Sequence, residues 1–370
     1  MKKILAIVLA LALVLCCFAA CKKENSDKAT GASTEYTSDN QFAAAKDALP
    51  ADSDAYYVME SAAAVDNTIF NSESLTFKVN DDVYGKIVFG EDLASSELYI
   101  EVNDVKAALY DGQLALVAGK TGVLVDVKQI LGEGLLTSLK AQLQSFGISL
   151  DQFVSSELAD TVDANLPILV QDHHLNRDAI RAIVSAIFPD IKGVISDANI
   201  LALAKEMGNF LLGLDELTIT DNVAADSKTY SLSLTDESGI QIAKQFMDLL
   251  KTNENVRALL GAIPVDQFVN EYYNDIAAEA ANADGNATEM VNAVLVLNGN
   301  YFKSLNINNG DVIVTIDEVN ETKFEGAEYL VVKDQAEKAE SFVKVEKADD
   351  FLQAIFKLPF AGDLMSMVNA

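Results

Sequence analysis

The side chains with the most capacity for chemistry in this 370-residue chain are its only two histidines, His173 and His174, which are adjacent. Asp172 precedes them and could orient an imidazole, so a general base could be assembled here. Two neighbouring histidines cannot share a helix face, however, and no third ligand lies at metal spacing. No Gly-x-Ser-x-Gly elbow accompanies them, which leaves a Ser-His-Asp hydrolase without its nucleophile turn. The expected role of 172–174 is a solvated approach to the helix that follows. Gly119-Lys120-Thr121 ends like a phosphate-binding loop, but position 114, where the first glycine belongs, is leucine, and the flanks alternate as strands. Asn282-Ala283-Asp284-Gly285 has the look of a calcium loop. With Gly285 sixth, Ala280 comes first and Val291 twelfth, and neither offers a carboxylate. Carboxylates are too numerous for one pair to stand out, and the lack of tryptophan counts against a sugar-stacking cleft. These residues predict no enzyme, no metal site and no cofactor.

All three cysteines fall at or before position 21, so the body has no disulfide, no thiol nucleophile and no thiolate metal site. Cys21 itself sits in a distinctive setting. Met1-Lys2-Lys3 is a cationic head and Ile4 to Leu15 an unbroken apolar run. Phe18-Ala19-Ala20-Cys21 then places small residues before the thiol, and a polar tail from Lys22 to Lys28 follows. The run is shorter than the ~20 apolar residues a spanning helix needs. The stretch resembles the signal peptide of a bacterial lipoprotein. That resemblance implies removal of residues 1–20, attachment of diacylglycerol to the Cys21 thiol, and an extracytoplasmic body anchored to the membrane by its acyl chains. Each buried CH₂ would contribute ~0.8 kcal/mol, and stable anchoring takes more than one chain. The competing readings are an ordinary secretory signal cut after Ala20 and an uncleaved anchor.

Half of the residues are apolar, enough for a sizeable core and too many for global disorder. The charge is acidic, 27 Lys+Arg against 56 Asp+Glu, and loss of Lys2 and Lys3 takes it from −29 to −31. Such a surface is repelled by nucleic acid and by anionic headgroups. The acids are dispersed, as on a solvated surface.

The elements that must position any site follow in order. Residues 22–40 are polar and aperiodic, a flexible tether. Phe42 to Ala48 reads as a short helix stopped by Pro50. From Ser74 to Val127 the period becomes two: strands at Leu75–Val79, Val83–Phe89, Glu97–Val102, Val105–Tyr110, Gln113–Ala118 and Val123–Val127 form an antiparallel meander with one covered face. Helices are expected around Leu135–Leu143, after an Asn176 cap up to Phe188, and from Ile200 to Leu211 with Gly213 as C-cap. Strands at Leu217–Thr220 and Thr229–Leu234 lead into an amphipathic helix carrying Ile242, Phe246, Leu249 and Leu250. A helical region at 265–281 precedes strands at Val291–Leu297, Tyr301–Ile307 and Asp311–Ile316, with Asn298-Gly299 and Asn309-Gly310 as hairpin signals. Tyr329 to Val332 reads as a further strand and Ala348 to Phe356 as a helix.

Asp-Gln-Phe-Val occurs at 151–154 and again at 266–269. A duplicated unit would explain this, with halves of about 41–213 and 214–370 inside one envelope domain at 41–370. Reuse of one local turn-to-helix solution explains it equally well.

Segregated strands and helices predict an α+β fold, with a curved antiparallel sheet packed over helices. The segment Glu97 to Val127 with its Tyr110-Asp111-Gly112-Gln113 hairpin, and Val294 to Ile307, resemble envelope lipoproteins of the LolA and LppX type. The resemblance implies a half-barrel enclosing an apolar cavity for lipid. It transfers no residue one by one. From apolar periodicity the walls are expected to include Leu98, Ile100, Leu201, Met207, Phe210, Phe246 and Leu250. The function expected is a non-enzymatic, membrane-anchored lipoprotein binding a hydrophobic ligand. The alternative is an interaction or scaffold lipoprotein with a solid core.

Overall fold

A computed structural model describes residues 41–145, 154–187, 197–254, 257, 289–307, 310–324, 326–347 and 350. Cys21 and the tether, both Asp-Gln-Phe-Val segments up to Val154, the 265–281 helix, the Asn282 loop and the helix expected after Ala348 lie outside the described residues. The fold is α+β. Nine helices among the described residues accompany a mostly antiparallel sheet of twelve strands, which runs from Ser341–Val345 at one edge to Leu217–Asn222 at the other and is not closed into a barrel. The chain divides into two compact units that interleave. One joins the residues up to Asn71 with those of Phe188–Thr315; the other joins Ser72–Ile187 with those from Ile316 onward.

The first unit begins with α1 (Gln41–Asp47) and α2 (Asp54–Phe70). No helix was expected at α2, yet it has an N-cap of ordinary type: the Ser53 hydroxyl accepts from the Tyr56 N–H at 3.2 Å. Phe42, Met59, Ala62 and Ala63 form a buried cluster against which Leu201 packs from α7 (Asp197–Leu212). Gly208 makes that approach possible, because a Cβ there would lie 2.1 Å from a methyl of Val58. Gly213 follows α7 without entering the left-handed region, so the expected glycine cap is not of that kind.

The same unit continues through β9 (Leu217–Asn222), β10 (Ser227–Thr235), α8 (Asp236–Thr252), β11 (Glu289–Asn298), β12 (Tyr301–Ile307) and the start of β13 (Val312–Val319). Thr235 and Ser238 form a reciprocal capping box that fixes where β10 ends and α8 begins. The β11–β12 register shifts between Val296 and Leu297. Thr68 of α2 completes the ladder beside it, its hydroxyl accepting from the Phe302 N–H at 2.8 Å. Tyr230, Leu295 and Leu297 are buried there with Ala64.

The second unit opens with the meander: β1 (Ser74–Val79), β2 (Val83–Val88), β3 (Glu97–Val102), β4 (Val105–Tyr110), β5 (Gln113–Ala118) and β6 (Thr121–Asp126). Tight turns set its register. Asp111 and Gly112 both take positive φ, 49° and 71°, the mirror-image turn whose twist suits a hairpin. Then come α3 (Val127–Glu133), α4 (Leu135–Ser145), α5 (Ser156–Asn165), the small hairpin β7 (Val170–Gln171) and β8 (His174–Leu175), and α6 (Arg177–Ile187). Asn176 caps α6 as expected, its side-chain oxygen accepting from the Ala179 N–H at 3.1 Å. From α5, Asp163 accepts from the Leu136 and Thr137 N–H groups at 2.8 and 2.9 Å, which satisfies the start of α4.

Tyr329 to Val332 is a correction. It belongs to a helix, α9 (Ala327–Glu337), followed by β14 (Ser341–Val345), which pairs parallel with β6. The reason lies in the period. Tyr329, Val332 and Ala336 are buried at i, i+3 and i+7, while Leu330 and Val331 face outward at 64% and 55% exposure. The apolar quartet therefore straddles two faces of a helix. The buried three lie over Tyr99, Ala108, Ala115 and Leu124.

One acid-sensitive contact holds the start of α9. Glu328 accepts from Lys86 of β2 at 2.7 Å, and that bond holds its carboxyl below the usual carboxylate range. Hydrogen bonds likewise lower Asp92, through Ser95, and Glu101, through Tyr99. A lowered carboxylate contributes stability above its unfolded value and loses it as pH falls through the folded one. Burial raises Glu97, which works the other way. With three groups against one, the urea midpoint of this unit is expected to fall between about pH 5 and pH 3. Glu328→Gln should flatten that slope; an unchanged slope would remove Glu328 from the account.

Candidate functional site

Period-two alternation puts every second residue of the meander on one face. Pairing then aligns those residues into rows. Leu75, Ile87, Leu98, Leu109, Leu114 and Val125 are successive partners across β1 to β6. Beside them run Phe77, Gly85, Ile100, Ala107, Leu116 and Val123, and then Val79, Val83, Val102, Val105, Ala118 and Thr121. Of eighteen positions only Thr121 is polar. The opposite face carries Tyr99, Ala108, Ala115 and Leu124 under α9, together with the charged residues Lys86, Glu101 and Lys106. The two faces of one sheet thus differ in character.

Cover over the apolar face is uneven. At the β5, β6 and β14 end, Ile130 of α3 is buried against Val123, Val125, Val343 and Val345, with Leu135 of α4 alongside. Toward β1, β2 and β3, the side chains of Phe77, Ile87, Leu98, Ile100 and Val102 are only half-buried. Gly85 marks the close point of this region. Phe77, its partner on β1, lays its ring where a Cβ would be, 2.3 Å away. A cross-strand aromatic over glycine extends the apolar surface without raising its height.

The seven residues expected to line a cavity fall into both units. Leu98 and Ile100 lie together on the half-buried face of β3. The other five belong to the first unit. Leu201 packs on the Phe42–Met59 cluster. Phe210 packs on Leu214, Leu232 and Ile242, and its ring stands 5.8 Å from that of Phe246. Leu250 is buried. Met207 lies on α7 with its side chain outside the described ones. Phe77, Ile87 and Leu116 were not singled out from sequence. The hairpin turns that fix register from Leu98 would have found them.

The histidines are held by main chain. Asp172 and His173 take φ of 52° and 65° in the β7–β8 turn, and their N–H groups donate to Glu91 O and Gly90 O at 3.1 and 2.9 Å. His173 Nδ1 lies 3.0 Å from Phe89 O, and His174 Nδ1 lies 3.4 Å from Ser72 O. Both rings therefore pin this hairpin against the 89–92 turn and the start of β1. Gly119-Lys120 is the two-residue turn between β5 and β6, with Gly119 at φ 56° and Lys120 paired to Glu340 at 2.9 Å. No group of three or more His, Cys, Asp or Glu is placed to hold a metal among the described residues. No helix among them is long and apolar enough to cross a membrane. No protein-family model matches the chain, and no curated protein and no solved structure proves significantly similar to it.

Proposed function

We propose that this is a membrane-anchored extracytoplasmic lipoprotein, non-enzymatic, whose body holds a hydrophobic ligand on the apolar face of the β1–β6 meander. The observation that carries the reading is the half-buried patch Phe77, Ile87, Leu98, Ile100 and Val102 in so acidic a chain. The Cys21 setting and the resemblance to LolA- and LppX-type proteins support it. Six strands at ~4.8 Å spacing span about 24 Å, room for a long fatty chain laid across them. Burial at ~25 cal/mol per Å² would supply the affinity.

The test is native mass spectrometry with lipid extraction on the body starting at Gln41, purified from a host that makes phospholipid. Near-stoichiometric lipid is expected with the native protein. Ile100→Asp should reduce it at least tenfold while the near-ultraviolet tyrosine signal stays native, because a carboxylate there opposes apolar burial. A clean apo mass, unchanged after incubation with vesicles, would sink the carrier reading and leave an anchored interaction module.

A further inference from the structure

The two edges of the sheet are built differently. At β14, ion pairs stand along the edge and its approaches: Lys120 with Glu340 at 2.9 Å, Lys338 with Asp334 at 2.6 Å, and Lys344 with Glu346. Charge of this kind is how natural sheets discourage another strand from pairing. At β9 the guard is slighter, a single pair of Asp221 with Lys228 at 3.9 Å. Its sequence, Leu-Thr-Ile-Thr-Asp-Asn, has one charge and no lysine or proline.

The geometry of β9 suits an added strand. Leu217 and Ile219 pack inward with Tyr230 and Leu295, while Thr218 and Thr220 are exposed. Glu216 O accepts from Ser233 N, so in an antiparallel ladder the even residues bond to β10. Ile219 and Asp221 then turn their main-chain N–H and C=O outward, and among the described residues no strand pairs with that side. Val223, 85% exposed, stands just past its end.

Charge narrows the occupant. Asp215, Glu216, Asp221 and Asp226 flank the edge, and Lys228 is the only cation in 215–235. That lysine turns inward, 2.7 Å from Glu60 and 3.9 Å from Asp221. A second copy of so acidic a chain would bring like charges together. We propose that the β9 edge is a strand-addition site for an extended, β-branched segment of a partner protein that carries basic residues at its ends. Main-chain bonds would supply affinity and the acidic flanks would set preference. The site is independent of the apolar face of the meander.

The test uses the full chain and three labelled, end-blocked heptapeptides. The first alternates valine and threonine between terminal lysines; the second has glutamates at the ends; the third has lysines and a central proline. Anisotropy should show binding of the first at least tenfold tighter than of the other two, with slowed amide exchange at Ile219 and Asp221. The double substitution T220K/D221K should abolish binding while circular dichroism stays native. Equal binding of the proline peptide would reduce the effect to charge alone and overturn the proposal, as would failure of the first peptide to bind. A concentration-dependent dimer of the native chain that T220K/D221K disperses would overturn it in favour of self-pairing.

Discussion

Gly122→Val is expected to lower the stability of the second unit by about 3 kcal/mol or more, the upper end for overpacking a core. The glycine lies on β6, on the face covered by α9. A Cβ built there would stand 2.1 Å from Ala336 O and 2.5 Å from Ala336 Cα. Those are main-chain atoms of a helix, which cannot rotate aside as a side chain can. The helix would have to lift, and with it Val332 and Ala336, both fully buried, and Tyr329. Gly85→Ala is the control. The atoms nearest a Cβ there are all of the Phe77 ring, which can move, so a smaller loss is expected. Urea titration followed through tyrosine measures both, uncomplicated by tryptophan, which the chain lacks. A loss at Gly122 no larger than that at Gly85 would mean that α9 is not seated as described.

Much of this arrangement was legible in the chain because its signals are local. Period-two runs separated by two-residue turns fix both the strands and their register, so β3, β4 and β5 have the bounds that alternation predicts. The helix boundary marked by Asn176 was equally plain. Two kinds of feature were not. The first is a short apolar cluster without periodic context: Tyr56 to Met59 and Tyr329 to Val332 each fit a strand or a helix, and only burial over a longer window decides. The second is long-range placement. The parallel pairing of β14 with β6 joins residues some 220 positions apart, and nothing in either segment announces it.

The same limit applies to the site. Apolar spacing shows that a residue is buried, but not in which body. Leu98 and Phe246 are alike by period, yet the first lies on a half-buried sheet face and the second beside Phe210 in a helix-and-sheet core. The interleaved connectivity hides this, since the chain leaves the first unit at Asn71, returns at Phe188 and leaves again at Thr315. What distinguishes the meander face is continuity. Its three aligned rows carry one polar side chain, that of Thr121, and among the described residues only part of them is closely covered by helices. A hydrophobic ligand would complete that cover.

Lys228→Met is expected to cost the first unit about 2–3 kcal/mol, between the values for exposed and for fully buried pairs. Exposure decides this. The side chains of Lys228 and Glu60 are 14% and 17% exposed, against 78% and 71% for Lys120 and Glu340, where Lys120→Met should change almost nothing. Lys228 Nζ sits 2.7 Å from Glu60 Oε2 and 5.0 Å from the centre of the Tyr57 ring, and Tyr230 donates to the same carboxylate oxygen at 2.9 Å. Methionine keeps the stem and removes the charge, so Glu60 is left partly desolvated with the Tyr230 hydroxyl. Replacing both partners, Glu60→Leu with Lys228→Met, should recover most of the loss, because the damage comes from the stranded carboxylate. The pH dependence has a definite sign. Burial, the largest single influence, pulls the Lys228 ammonium down, but the bond and charge of Glu60 and the charge of Asp221 outweigh it, and the net direction is upward. A raised lysine keeps its contribution at all lower pH and loses it only as pH climbs through the raised value. The gap between native and Lys228→Met should therefore hold constant across neutral pH and close in strong alkali. A gap that shrinks steadily through pH 7 to 9, or a double variant no better than Lys228→Met alone, would show that the pair does not lock β10 to α2.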